Sequence, residues 1–209
     1  MKLLLLGATG LVGSHVLREA LADERVTAVV APVRRPVPTH AKLMAPVIDF
    51  SVLPDDVMVW SADAMICAFG TTMKQAGSRD AFRRVDLDLP LAAARLARRH
   101  GTPTFVLNSA MGADARSRFF YNRVKGELEQ AVGRLGFDAL TLVRPGLIGG
   151  SRASFRAGER AALAVLGKLG PVLPRAWRIN PASTIAHAML VAALDATPGT
   201  QVIGSAELV

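Results

Sequence analysis

The stretch "KLLLLGATGLVGSH", Lys2 to His15, allows two readings that lead to different folds. A lysine before four leucines resembles the start of a secretory signal. The same leucines also suit a buried strand that delivers a glycine-rich turn to a phosphate. Length separates the two. A signal needs an apolar region of about 7–15 residues before a small-residue cleavage site. Here the run ends at Gly7, and glycines recur at Gly10 and Gly13. The strand-and-turn reading stands.

The rest of the composition agrees with one folded unit. The chain has 209 residues, 51% of them hydrophobic, with a mean hydropathy of +0.31, enough for a sizeable core. No run approaches the roughly 20 apolar residues of a membrane-spanning helix, so no membrane partner is expected. Cys67 is the one cysteine, which excludes an intramolecular disulfide framework and points to a reducing cytoplasm. Net charge is +8, and arginine supplies 20 of the 25 basic residues. They lie in scattered pairs (Arg34-Arg35, Arg83-Arg84, Arg98-Arg99) and form neither a basic tail nor an aromatic-interleaved stripe. That spread fits a solvated surface or anionic small molecules. A basic nucleic-acid-binding module is the third reading, but no such motif is present, and no nucleic-acid partner is expected.

Outward from the opening stretch, short apolar runs alternate with helical patterns. Strands are expected at Lys2–Leu6, Val26–Val30, Met65–Phe69, Thr104–Leu107 and Thr141–Val143, with Val47–Phe50 a weaker one. Helices are expected at Leu11–Leu21, Asp80–His100 and Tyr121–Leu135. Strand–helix alternation implies an α/β fold, a doubly wound parallel sheet covered on both faces. Residues 1–148 form its core. Residues 149–209 carry a helical stretch near Gly158–Leu169, a helix at Ala182–Ala193 and an extended end at Gln201–Ile203, read as a small substrate-side lobe.

Gly7, Gly10 and Gly13 fall directly after the first strand, at the start of the first helix. A dinucleotide site needs backbone close to the pyrophosphate and free helix-N-terminal N–H groups aimed at the anion. The spacing differs from the usual GxGxxG fingerprint, and a plain tight turn is the alternative. About 20 residues further on, NAD-specific sites carry Asp or Glu for the ribose hydroxyls. This chain reads Val33-Arg34-Arg35-Pro36 instead. Two guanidiniums suit a 2′-phosphate in charge and bidentate geometry, which favours NADP(H) over NAD(H); a solvated loop is the alternative.

"FFYNRVKGELE" puts Tyr121 and Lys125 four apart on one helix face. A phenol with an ordinary pKa near 10 is a poor acid–base catalyst at neutral pH, and a nearby ammonium brings it closer to the working range. Upstream, Ser109 ends a strand in "FVLNSAMGA", where its hydroxyl suits a substrate oxygen. As an ordinary helix face, Tyr121 would edge the core and Lys125 would be solvated.

Glycine turn, basic second-strand end, strand-end serine and YxxxK, in that order, are the layout of short-chain dehydrogenases/reductases. The chain resembles their atypical Tat-interacting-protein-like group, which is related to NAD-dependent epimerase/dehydratase domains. The resemblance rests on "GATGLVG", "VIDF", "CAFGTTMKQAG", "FRRVDLDLPLAAARLA", "NSAMGADARSRFFYNRVKGELE" and "LVRPGLIGG", which span most of residues 2–150. It implies a Rossmann-type core that binds NADP(H), with the pyrophosphate on Gly7, Thr9, Gly10, Leu11, Val12 and Gly13. It implies Arg34 and Arg35 on the adenosine phosphate side, and Asp49 and Phe50 beside the adenine. Cys67, Ala68 and Gly70 would line the path from ribose to nicotinamide, and Pro145, Leu147 and Ile148 would flank the nicotinamide. Ser109, Tyr121 and Lys125 match the catalytic trio. A helix position where many relatives carry a structural Asn falls near Asp86, a departure from the pattern.

The function expected is hydride exchange with a small carbonyl or alcohol substrate. Tyr121 handles the proton, Lys125 lowers its pKa and holds the nicotinamide ribose, and Ser109 orients the oxygen. Arg152, Arg156, Arg175 and Arg178 suit an acidic group on the substrate or a plain surface. The rival is an NADP(H)-binding sensor or regulatory interaction protein with little turnover. No metal is expected, and the chain is expected as a monomer or homodimer.

Overall fold

The four leucines of the opening stretch form the central strand, β1 (Lys2–Leu6), and each of the four is fully buried. In a computed structural model, which describes residues 1–149 and 174–209, the seven-stranded sheet has the order β3-β2-β1-β4-β5-β6-β9, parallel throughout. The other strands are β2 (Ala28–Val30), β3 (Leu43–Met44), β4 (Ala64–Cys67), β5 (Thr104–Asn108), β6 (Ala139–Arg144) and β9 (Gly199–Gly204). Successive strand residues face opposite ways, so a strand covered on both sides must be apolar at every position. Leu3 and Leu5 pack toward α1 (Leu11–Ala22) and α7 (Ala182–Asp195). Leu4 and Leu6 pack toward α5 (Leu89–Arg99) and α6 (Phe120–Gly133). Burying one leucine contributes about 2 kcal/mol, which makes β1 an anchor for both layers.

Strand order reverses between β1 and β4, and in open α/β sheets a ligand crevice lies at the carboxyl ends beside such a switch. Leu6 pairs with Cys67, so the turn after β1 and the loop after β4 leave the sheet side by side there.

Several expectations shift. "VIDF" is not a strand: β3 stops before Pro46, and Val47 only bridges Val33. The long middle helix is interrupted. After α2 (Val57–Trp60) and α3 (Met73–Ala76), α4 (Arg79–Arg83) leads through a π-turn at Arg84–Asp88 into α5. Pro90 has no N–H for the carbonyl of Asp86 and its ring crowds that carbonyl, which accounts for the slip in register. Leu89 N–H accordingly reaches back to the Arg84 carbonyl.

The last quarter packs on the sheet. β9 extends it beside β6, and α7 packs on α1 through a face that includes Ile185, Ala186 and Met189. A two-residue pair, β7 (Ile148–Gly149) with β8 (Asn180–Pro181), links this part to the loop after β6. The helical stretch expected near 158–169, with Arg152 and Arg156, lies outside the described residues. Among the described residues no helix is long and apolar enough to cross a membrane.

Candidate functional site

The turn after β1 is built by atoms that leave no room for side chains. Gly7 has φ +83°, and a Cβ on it would lie 2.8 Å from the Ala68 carbonyl carbon and oxygen. A Cβ on Gly13 would lie 2.0 Å from the Gly7 carbonyl oxygen, so only glycine lets α1 start this close to the turn. Gly10 caps α1 without a side chain, and its N–H donates to Gly7 O at 2.9 Å. No acidic residue occupies the first turn. The N–H groups of Leu11, Val12 and Gly13, beside exposed Thr9, are therefore set for an anion.

The loops after β2, β3 and β4 border one side of this turn. Arg34 and Arg35 are exposed just past the Val33–Val47 bridge, and among the described residues neither has an acidic partner. Asp49 is exposed, and the Ser51 N–H and hydroxyl beside it hold its carboxyl below the usual range. Phe50 packs edge-on against Phe69 at 5.4 Å, which ties "VIDF" to the loop after β4. The Cys67 side chain turns into the core, where burial pushes its thiol up to about 11. Cys67 can face the crevice only through backbone, whereas Ala68 and Gly70 are in the open loop.

Tyr121 and Lys125 stand one turn apart on α6, as their spacing predicts, but their surroundings differ. Tyr121 is half-exposed, its ring 5.6 Å from that of Phe82, and its hydroxyl has no protein partner among the described residues. Lys125 is only 3% exposed, in place of the solvated position a plain helix face would give it. Its Nζ lies 2.8 Å from Oδ1 of Asp86, which is 0% exposed in the π-turn. At this distance the ammonium and the carboxylate oxygen meet directly as a buried ion pair. Asp86 Oδ2 accepts the Thr71 N–H at 2.9 Å. Burial opposes the charge on Lys125, but Asp86, with Tyr121 and Cys67, outweighs it and holds the ammonium above the ordinary lysine range. A Cβ on Gly70 would sit 4.0 Å from Nζ, so the ammonium borders the crevice beside the β4 loop.

Ser109 is buried and joined to a different network. Its hydroxyl donates to Glu129 Oε1 at 2.5 Å. Glu129, one turn beyond Lys125, also accepts from Arg144 Nε at 3.0 Å and Nη2 at 2.6 Å. The structure thus brings Tyr121 and Lys125 together with Gly70, while the hydrogen bond of Ser109 runs to Glu129.

Pro145 is buried, Leu147 exposed and Ile148 half-buried in the loop after β6. Met111 N–H donates to the Pro145 carbonyl at 2.8 Å, and Gly146 N–H to Asn180 Oδ1 at 2.7 Å. Asn180, fully buried, also donates to the Ser205 carbonyl at 2.9 Å, so it locks the chain's end to this loop. A Cβ on Gly126 would lie 2.2 Å from Ala115 N, which lets the 113–117 loop lie on α6 beside Tyr121. Sequence reasoning missed Glu129, Arg144, Asn180 and Gly126. Glu129, four after Lys125 on the same face, was the one with a readable signal. Arg175 begins a short 3-10 turn and is exposed; Arg178 follows it. Among the described residues no cluster of His, Cys, Asp or Glu could hold a metal.

A parallel sheet with a side-chain-free turn at its switch point, and a buried lysine beside it, defines a dinucleotide-binding protein of the Rossmann type. The profile of the NAD(P)H-binding family matches residues 7–152. Among full-length relatives, mitochondrial protein fmp52 of Emericella nidulans is 36% identical over 213 residues, covering 96% of this chain and 91% of its own. Protein HTATIP2 of Rattus norvegicus is 36% identical over 194 residues, covering 89% and 78%. The chain belongs to this NAD(P)H-binding family, in the atypical short-chain dehydrogenase/reductase group of fmp52 and HTATIP2. Among solved structures, MoeE5 with UDP-glucose and NAD has a TM-score of 0.75 at 16% identity, covering 98% of this chain and 76% of that one. A short-chain dehydrogenase family protein from Francisella tularensis has a TM-score of 0.67 at 14% identity, covering 99% and 98%. At such identities these structures speak for the fold.

One expectation is overturned. The fmp52 relatives of Emericella nidulans and Candida albicans, at 36% and 35% identity, are named as mitochondrial, against the cytoplasmic reading. That reading rested on a lone cysteine, which excludes a disulfide framework but does not choose among reducing compartments.

Proposed function

We propose that the protein is an NADP(H)-dependent oxidoreductase that acts on a small carbonyl or alcohol compound. The observation that carries this is Lys125: a buried ammonium one helical turn from a tyrosine hydroxyl that has no partner among the described residues, bordering the crevice that starts at the glycine turn. The glycine turn fits a pyrophosphate because α1 starts directly against it, capped by Gly10 without a side chain and with no acid in its first turn. Arg34 and Arg35, exposed and without acidic partners among the described residues, support the phosphorylated cofactor. When bound, the nicotinamide supplies or takes up the hydride. Tyr121 gives its proton to the carbonyl oxygen, or takes it from an alcohol. Lys125 stabilises the phenolate left behind and directs its remaining N–H donors at the ribose hydroxyls. Thr9 and the first N–H groups of α1 hold the pyrophosphate, and the loop from Pro145 to Ile148 flanks the nicotinamide.

One observation favours the second reading, a cofactor-binding sensor with little turnover. The Ser109 hydroxyl, cast as the group that orients the substrate oxygen, is donated to Glu129. A screen of NADPH oxidation over aldehydes, ketones and quinones decides between the two, with Tyr121→Phe as control. The reductase reading expects turnover that falls about 100-fold or more in Tyr121→Phe, with NADPH affinity kept. NADPH binding without turnover on any compound establishes the sensor, and a fully active Tyr121→Phe removes the tyrosine from the chemistry.

A further inference from the structure

The π-turn presents an acid where a long amphipathic helix would show solvent. Asp86 is fully buried and its two oxygens are used separately: Oδ2 accepts the Thr71 N–H, and among the described residues Oδ1 meets Lys125 alone. Thr71 follows Gly70, on which a Cβ would lie 4.0 Å from the ammonium. One carboxylate therefore ties together the loop after β4, the π-turn and α6. An isolated ammonium in a site this dry sheds its proton at far lower pH than in water. Apart from Asp86, the titratable groups that bear on Lys125 are Tyr121 on its own helix and Cys67 from β4. The thiol stays neutral at neutral pH, since burial pushes it to about 11, so the Asp86 carboxylate is the charge set against the ammonium. Arg83 and Glu127 join the same two helices only at their exposed edge, 2.7 Å apart.

We infer that Asp86 is a positioning residue: its buried carboxylate keeps Lys125 charged and fixes its Nζ so that the remaining donors face the crevice. The inference rests on the reading of Lys125 as a cofactor contact, and goes beyond it by assigning what makes that contact work. Three donors on Nζ and one protein partner leave two for a ligand. Pro90 has a part in the design, because the slipped helical register it imposes is what holds Asp86 over α6.

The test reads the charge on Lys125 directly, in protein without cofactor. Lysine labelled with 13C and 15N at its side-chain end gives five resonances, and Lys125→Met identifies that of Lys125. In wild type this resonance titrates above the other four. In Asp86→Asn, which keeps the shape and removes the charge, its midpoint falls by at least about two to three pH units, into the range of the binding titration. NADPH affinity, followed by cofactor fluorescence, stays flat in wild type from about pH 7 to pH 9 and weakens several-fold across that range in Asp86→Asn. A merely structural acid would lower the melting temperature of the variant and move neither curve. Equal Lys125 midpoints in wild type and Asp86→Asn overturn the proposal. Where Asp86→Asn yields too little folded protein, wild type decides alone: a Lys125 midpoint at or below that of the other lysines overturns it. Lys125→Met binding NADPH as tightly as wild type takes down the cofactor reading, while the titration still judges Asp86.

Discussion

Arg34 and Arg35 show how much one pair of side chains can decide. Both are exposed at the carboxyl edge of the sheet without acidic partners among the described residues, so a bound phosphate would displace no existing ion pair. Linkage stabilises the folded protein in proportion to affinity. NADPH is therefore expected to raise the melting temperature more than NADH at equal concentration. In the double variant Arg34→Ala/Arg35→Ala the two cofactors should act alike, with a loss of about 10- to 100-fold in NADPH affinity alone. Unchanged preference in the double variant would take these arginines out of the site. At this scale the sequence was most legible where a residue's reason is local. Gly7 and Gly13 were readable because a chain turning from strand to helix against a phosphate needs them whatever surrounds it. Tyr121 and Lys125 were readable because four residues make one helical turn. Asp86 stood out only as a departure, since an acid on an amphipathic helix reads as solvated and its partner is 39 positions away. Ser109 was found but not its bond, because Glu129 belongs to another element.

Among the elements, the misreadings share a cause. The long middle helix was expected unbroken because its apolar period continues through Pro90, yet a proline inside a helix removes a bond regardless of the pattern around it. "VIDF" has the composition of a strand, but Pro46 lacks the N–H for one rung, so the pairing shrinks to a single bridge at Val33 and Phe50 turns to Phe69. Pairing across elements is invisible to period and composition, and the clasp between β5, α6 and β6 is the clearest case. Glu129, 7% exposed, accepts from Ser109 and from two nitrogens of Arg144. Removing one partner of a buried pair leaves a charge uncompensated, at about 3–5 kcal/mol, less here because Arg144 reaches water on one side. Glu129→Ala is therefore expected to lower unfolding free energy by about 2–3 kcal/mol in urea titrations, with Glu129→Gln costing about half as much because the Ser109 bond survives. A loss under about 1 kcal/mol in Glu129→Ala would mean that the clasp is loose in solution.

For the whole molecule, the helix and extended end of the last quarter were readable as elements but their places were not, because α7 and β9 acquire meaning only from distant partners. α7 completes the layer begun by α1, and β9 pairs with β6 from Ala139 to Arg144. The chain thus closes over β4 from both faces, and Cys67 at the end of that strand is sealed in the middle. This gives a direct readout of global opening. A thiol that is fully buried and pushed to about 11 is unreactive in the folded state at neutral pH, and becomes ordinary once the sheet parts. Labelling by a thiol reagent should then follow the population of the opened state, with urea raising its rate along the unfolding free energy. The glycine turn and the loop after β4 both belong to the folded sheet, so a cofactor bound there must slow labelling by mass action. At about a hundred times its dissociation constant, NADPH is expected to slow Cys67 modification about 100-fold, and NADH less at the same concentration. Labelling that stays fast with saturating NADPH would show β4 opening by itself, uncoupled from the crevice it supports.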